Sequence, residues 1–84
     1  MKDSTKQVFE YLKKMKDKNV TAADVALATG LTKRQVDGIF TAAIQRKGFG
    51  DRVPAQVKDA DGNYINVKYL TLSDVGCIVD LNAD

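Results

Sequence analysis

Histidine and tryptophan are absent from this 84-residue sequence, and cysteine and proline each occur once. Without histidine, the commonest general base and the commonest metal ligand are missing. The single Cys77 excludes an intrachain disulfide and a Cys-rich zinc site. No apolar run approaches the ~18 residues of a membrane span. The N-terminal Met-Lys-Asp-Ser-Thr-Lys runs into a mixed-charge helical pattern, without the apolar core of a signal peptide. These absences predict a cytoplasmic protein that is not an enzyme, holds no metal or cofactor and does not contact a membrane. The length fits one domain over residues 1–84, and an apolar fraction of 44 % allows it a small core.

What is present is unevenly charged. The net charge of +2 divides into +3 over residues 1–18, −1 over 19–30, +4 over 31–58 and −4 over 59–84. A basic start and middle with an acidic tail predict one side that faces a polyanion and another that faces solvent. Ordinary surface charge is the alternative reading of the same numbers.

The chain punctuates itself with helix caps. Ser4 with Gln7 reads as a capping box that opens a first helix over about Thr5–Asp17. Val8, Leu12 and Met15 fall on its inner stripe, the lysines at 13, 14, 16 and 18 suit the negative end of its dipole, and Asn19 reads as a left-handed terminator. Thr21 with Asp24 opens a second helix, about Ala22–Thr29, and Gly30 ends it. Thr32 with Gln35 opens a third, from Lys33 to Arg46 or Lys47, whose face is Val36, Ile39, Phe40, Ala43 and Ile44. Gly48 stops it.

The period then changes to two. Arg52–Val57 reads as an edge or bulged strand because it contains Pro54. Residues 59–63 form a turn, and Tyr64–Leu72 completes a β-hairpin. Ser73 caps a last helical turn with Val75, Cys77, Ile78 and Leu81, which Gly76 weakens by ~1 kcal/mol. The expected fold is mainly α with a small hairpin: three helices, a two-stranded wing and a short C-terminal helical turn. Val36, Phe40 and Ile44 should be buried against Val8, Leu12 and Val25.

The turn Gly30-Leu31-Thr32 between the second and third helices has the spacing of a helix-turn-helix. Here the sequence resembles the winged helix-turn-helix superfamily, most closely its MarR-type (multiple antibiotic resistance regulator) group. The resemblance covers roughly residues 20–76. It rests on Val20–Val36, on Gln45-Arg46-Lys47-Gly48-Phe49 with Asp51-Arg52, on Asp61-Gly62 and on Leu72-Ser73-Asp74-Val75-Gly76. It implies DNA binding and transcription regulation by a recognition helix. Val36 to Gly48 is one residue longer than the usual spacing, so the end of the third helix should be shifted or overwound. Asp37 and Gly38 depart from the pattern in the reading helix, where an acid repels phosphate. The long flanking helices that dimerise full MarR-type repressors have no counterpart here.

The chemistry of reading DNA follows from the residues themselves. The outer face of the third helix shows Lys33, Arg34, Asp37, Gly38, Thr41 and Gln45, and its N-terminal part would enter the major groove. Arg34 suits guanine, and Gln35 or Gln45 suits adenine. Gly38 permits close approach to a sugar or phosphate. The helix start at Thr21 offers a phosphate site, and Arg52, Lys58 and Lys68 on the wing would hold the backbone. The predicted partner is therefore double-stranded DNA, with RNA polymerase blocked or recruited by occupancy. A homodimer would use the outer face of the first helix or Val75, Ile78, Val79 and Leu81. The competing function is a winged helix that docks another protein without binding DNA, favoured by Asp37 and the acidic tail.

Overall fold

The computed structural model describes residues 2–16 and 18–79. Its elements are α1 (Asp3–Lys14), α2 (Ala22–Thr29), α3 (Lys33–Ile39), a π-helical continuation of α3 (Phe40–Gln45), β1 (Gly50–Lys58), β2 (Tyr64–Leu72) and α4 (Asp74–Cys77). The order is that of a winged helix, as the sequence predicts.

Two of the three expected capping boxes form. Asp24 N–H donates to Thr21 Oγ1 (3.3 Å) and Thr21 N–H to Asp24 Oδ2 (3.0 Å). Gln35 N–H donates to Thr32 Oγ1 (3.1 Å) and Thr32 N–H to Gln35 Oε1 (2.9 Å). Between them Gly30 takes φ 77°, the left-handed conformation that ends α2.

α1 differs from expectation at both ends. It starts at Asp3, so Ser4 lies inside the helix and the N-cap Lys2 supplies no side-chain bond. An acid in the first turn complements the dipole without a box. It ends at Lys14 with Met15 as its cap, and the expected last residue, Asp17, lies outside the described residues. Asn19 is not left-handed, since among the described residues only Gly30, Gly48 and Gly62 have positive φ. The chain leaves α1 through a turn in which Lys18 N–H donates to Met15 C=O (2.9 Å); Val20 C=O then accepts from Leu70 N–H (2.8 Å), adding a bridge between Thr21 and Tyr69 to the sheet edge.

The extra residue after Val36 is absorbed by underwinding rather than overwinding. Val36, Phe40 and Ile44 are fully buried at strict four-residue spacing. Four residues of α-helix turn through about 400°, so such a row drifts by about 40° at each step. A π turn holds more residues and drifts the other way. Bonds from Arg46 N–H to Thr41 C=O (3.1 Å) and Phe49 N–H to Ile44 C=O (2.9 Å) carry this wider winding. All three side chains thereby stay on one core with Val8, Phe9, Leu12, Val25, Leu70 and Leu72.

The hairpin register runs unbroken from Gly50 opposite Leu72 to Lys58 opposite Tyr64. Pro54 makes no bulge. Leu70 N–H points away from β1, toward Val20, so the Arg52–Leu70 and Pro54–Lys68 pairs turn their backbone groups outward, and the proline lacks only an N–H that would face the open edge. Asp59 Oδ1 accepts from Asp61 N–H and Asn63 N–H and shapes the turn. Ser73 Oγ caps α4 by accepting from Gly76 N–H (3.1 Å). A Cβ at position 76 would lie 1.9 Å from Phe49 C=O, so Gly76 is set by close packing despite its helical cost. The expected extension of this turn to Leu81 lies outside the described residues.

Candidate nucleic-acid interface

Partners directly opposite in an antiparallel pair share a face, and successive pairs alternate. One face of the wing therefore carries Arg52 with Leu70, Pro54 with Lys68, Gln56 with Asn66 and Lys58 with Tyr64. This face looks across an open cleft of about 630 Å³ toward the starts of α2 and α3. Thr21, Ala22 and Ala23 line it from α2, Lys33 and Asp37 from α3, and Arg52, Pro54, Gln56, Asn66, Lys68 and Leu70 from this face of the wing, with Ala55 and Val67 reaching it from the other. Four of the residues singled out in the sequence, Thr21, Lys33, Arg52 and Lys68, thus meet in one place.

They meet in different states. Lys33 and Lys68 are exposed, and neither has an ion-pair partner among the described residues. Arg52 is committed. It is 19 % exposed, forms an ion pair with Asp37 Oδ1 (3.5 Å), donates to Asp37 C=O (3.3 Å) and to Gln45 Oε1, and stacks over the Phe40 ring at 4.9 Å. It fastens the wing base to α3. Asp37, a liability on a reading face, is neutralised by it. The cleft therefore keeps two uncompensated positive charges facing each other from α3 and β2.

On α3, Arg34 and Gly38 are exposed, and nothing would meet a Cβ at position 38 within 4 Å. Gln35 is exposed, but its carbonyl accepts from Thr32 N–H. Gln45 gives its carbonyl to Arg52. Bidentate pairing with adenine needs the amide's donor and acceptor together, and in both glutamines one lone pair of the carbonyl is already engaged within the protein, which fixes the amide's orientation. Thr41 is half-buried. Thr21 is half-buried, with its oxygen in the α2 cap. Lys58 shares the wing face but sits near the tip, 5.4 Å from the Tyr64 ring centroid, apart from the cleft.

The tie between Arg52, Asp37, Gln45 and Phe40 escapes sequence reading because it joins residues up to fifteen apart across three elements. The opposition of Pro54 and Lys68 had a signal: counting outward from Asp61 at the turn centre pairs them.

No protein-family model matches the chain, and no curated protein is detectably similar in sequence. Among solved structures it is similar to MepR, described as a transcription regulator of the Staphylococcus aureus multidrug efflux pump MepA, with a TM-score of 0.70 and 21 % identity over 92 % of this chain. The chain spans half the length of that structure's chain, 50 %. No helix among the described residues is long and apolar enough to cross a membrane. Helix order, hairpin and this likeness agree: the chain has the winged helix-turn-helix fold found in MepR.

Proposed function

We propose that this protein binds double-stranded DNA and regulates transcription by occupying its site. The cleft carries the reading: two unpaired lysines, the start of α2 and the wing base converge beside an exposed helix face. A phosphate strand would lie in the cleft, held by Lys33 and Lys68. The start of α3 would enter the major groove with Arg34 reaching base edges and Gly38 giving clearance. Arg52 positions the wing and does not itself contact the backbone. MepR's description as a transcription regulator supports the regulatory part. Occupancy would exclude or recruit RNA polymerase, and two copies would read a two-fold symmetric site.

A random 20-base-pair duplex titrated at several salt concentrations tests it. With about four phosphate contacts, log affinity should fall against log salt with a slope near −3.5. Lys33→Ala and Lys68→Ala should each reduce that slope by about one. A native chain with no salt-dependent binding would leave the protein-docking reading, which the acidic wing tip at Asp59 and Asp61 favours.

A further inference from the structure

The other face of the wing has a different chemistry. Its cross-strand pairs are Asp51 with Thr71, Val53 with Tyr69, Ala55 with Val67 and Val57 with Ile65. Six apolar side chains form one strip. Val53 and Ile65 remain 46 % and 44 % exposed. None of the six packs against the hydrophobic core, whose flanking residues come from the helices, the loops and Val79. What burial they have comes from outside that core. The arginine and lysines of the wing lie on the opposite face with Arg52, Lys58 and Lys68. Asp51 lies on this face at the base of the strip, and the turn beyond its tip is acidic, with Asp61 and with Asp59, whose Oδ1 also accepts from the turn N–H groups.

We propose that this outer wing face docks an amphipathic helix of another protein, one with an apolar stripe and basic residues at both ends. The dimensions fit. The ribbon is two strands, about 10 Å, wide, close to the width of a helix with its side chains. From Asp51 to Asp59 it runs about 27 Å, the length of a helix of about 18 residues. The charges choose the occupant. A second copy laid face to face would oppose acid to acid whichever way it ran, tip on tip or tip on base, so the strip is unsuited to pairing with itself. A helix with Lys or Arg at each end meets an acid at each end. The surface is smaller than a standard stable interface, so the complex is transient. Ala55 and Val67, at the middle of the strip, also reach the cleft wall, whereas Val53, Val57, Ile65 and Asp51 do not line it, so the docking contact is separable from DNA binding at those four residues.

The test uses the full chain, labelled with nitrogen-15, and a synthetic 18-residue amphipathic helical peptide with leucines on one face and two lysines at each end. Amide shifts should concentrate at residues 51–59 and 64–71 and saturate. A peptide with glutamates in place of the terminal lysines should bind at least tenfold more weakly. Ile65→Asp should weaken the lysine peptide at least tenfold while retaining the dispersed spectrum and the native salt-dependent titration with duplex DNA. Equal binding of the two peptides, or shifts centred on Lys33 and Lys68 in the cleft, would overturn the proposal. Concentration-dependent broadening of the strip's own amides without peptide would also overturn it, since the occupant would then be a second copy.

Discussion

Asp37 and Arg52 change each other's meaning. Taken singly, the acid argues against a DNA-facing helix and the arginine argues for a DNA-facing wing. Together they cancel in charge and form a strut, with the guanidinium also over Phe40. Partly exposed ion pairs contribute at most ~1 kcal/mol; the stacking and the hydrogen bond to the Asp37 carbonyl add to that. Arg52→Ala should therefore lower stability by about 1–3 kcal/mol in urea unfolding, and lower DNA affinity through a loosened wing. Asp37→Asn should cost less, about 0.5 kcal/mol, and act the opposite way on DNA. It releases a positive charge into the cleft, so affinity should rise several-fold and the salt slope steepen by up to one. If Asp37→Asn weakens binding, the acid itself takes part in recognition and the strut account fails. Phe40, fully buried beneath Arg52, marks the other extreme: Phe40→Ala should cost ~3–5 kcal/mol and leave so small a domain largely unfolded by circular dichroism.

At the scale of elements, legibility followed the range of the interactions. The α2 and α3 starts, the Gly30 stop, the hairpin turn and the Ser73 cap are held by bonds between residues two to four apart, and each could be read from neighbouring letters. The α1 cap was misread because Ser4 and Gln7 match a pattern that the earlier start at Asp3 overrides. The π segment was visible only as one residue too many. Its winding depends on keeping Ile44 on the same core as Val36, and that core is built from α1, α2 and β2 as well. Charge pattern alone brought Lys33 and Lys68 to notice, yet the hairpin register and the α3 orientation were needed to set them across one cleft. The π segment makes a sharp prediction. Deleting the exposed Ala42 should let α3 continue as a regular α-helix, since Ile44 would then follow Phe40 by three residues and still face the core. The deletion variant should fold, with a melting temperature within about 5 °C of the native chain, a shift of roughly 1 kcal/mol. Deleting Glu10, exposed in the middle of α1, should unfold the protein, because it rotates Leu12 away from the face set by Val8 and Phe9 by about 100°. Equal damage from both deletions would show that the π turn is not an absorbed insertion.

At the scale of the molecule the question is how many copies act together. The α-helical part of α3 has seven residues, Lys33–Ile39, about 10 Å of helix, enough to cover a few base pairs. At ~1–3 kcal/mol per good base contact, one such helix separates a site weakly from the genomic background. Two copies on half-sites about one helical turn apart would double the readout. The described residues offer an apolar surface for pairing where the chain leaves the wing: Ile78 is 81 % exposed, and Val75 stands beside it, three residues earlier in the same turn. The turn is tied down by Lys13 Nζ donating to Val79 C=O (2.7 Å) and by the ion pair of Lys16 with Asp74 (3.3 Å), so the two side chains are presented on a fixed base. Sedimentation at tens of micromolar should show a dimer in equilibrium with monomer. Ile78→Asp should abolish it with little change in melting temperature, because a side chain this exposed contributes little to its own core. The same variant should then protect one half of a palindromic site in footprinting and lose the tighter, two-copy affinity, while its affinity for random duplex stays near the native value. A native chain that remains monomeric at 100 µM and on DNA would remove the two-fold reading. Specificity would then have to come from a second protein bound beside it, and the outer face of the wing, at Val53, Val57 and Ile65, is where such a contact could be made without disturbing the cleft.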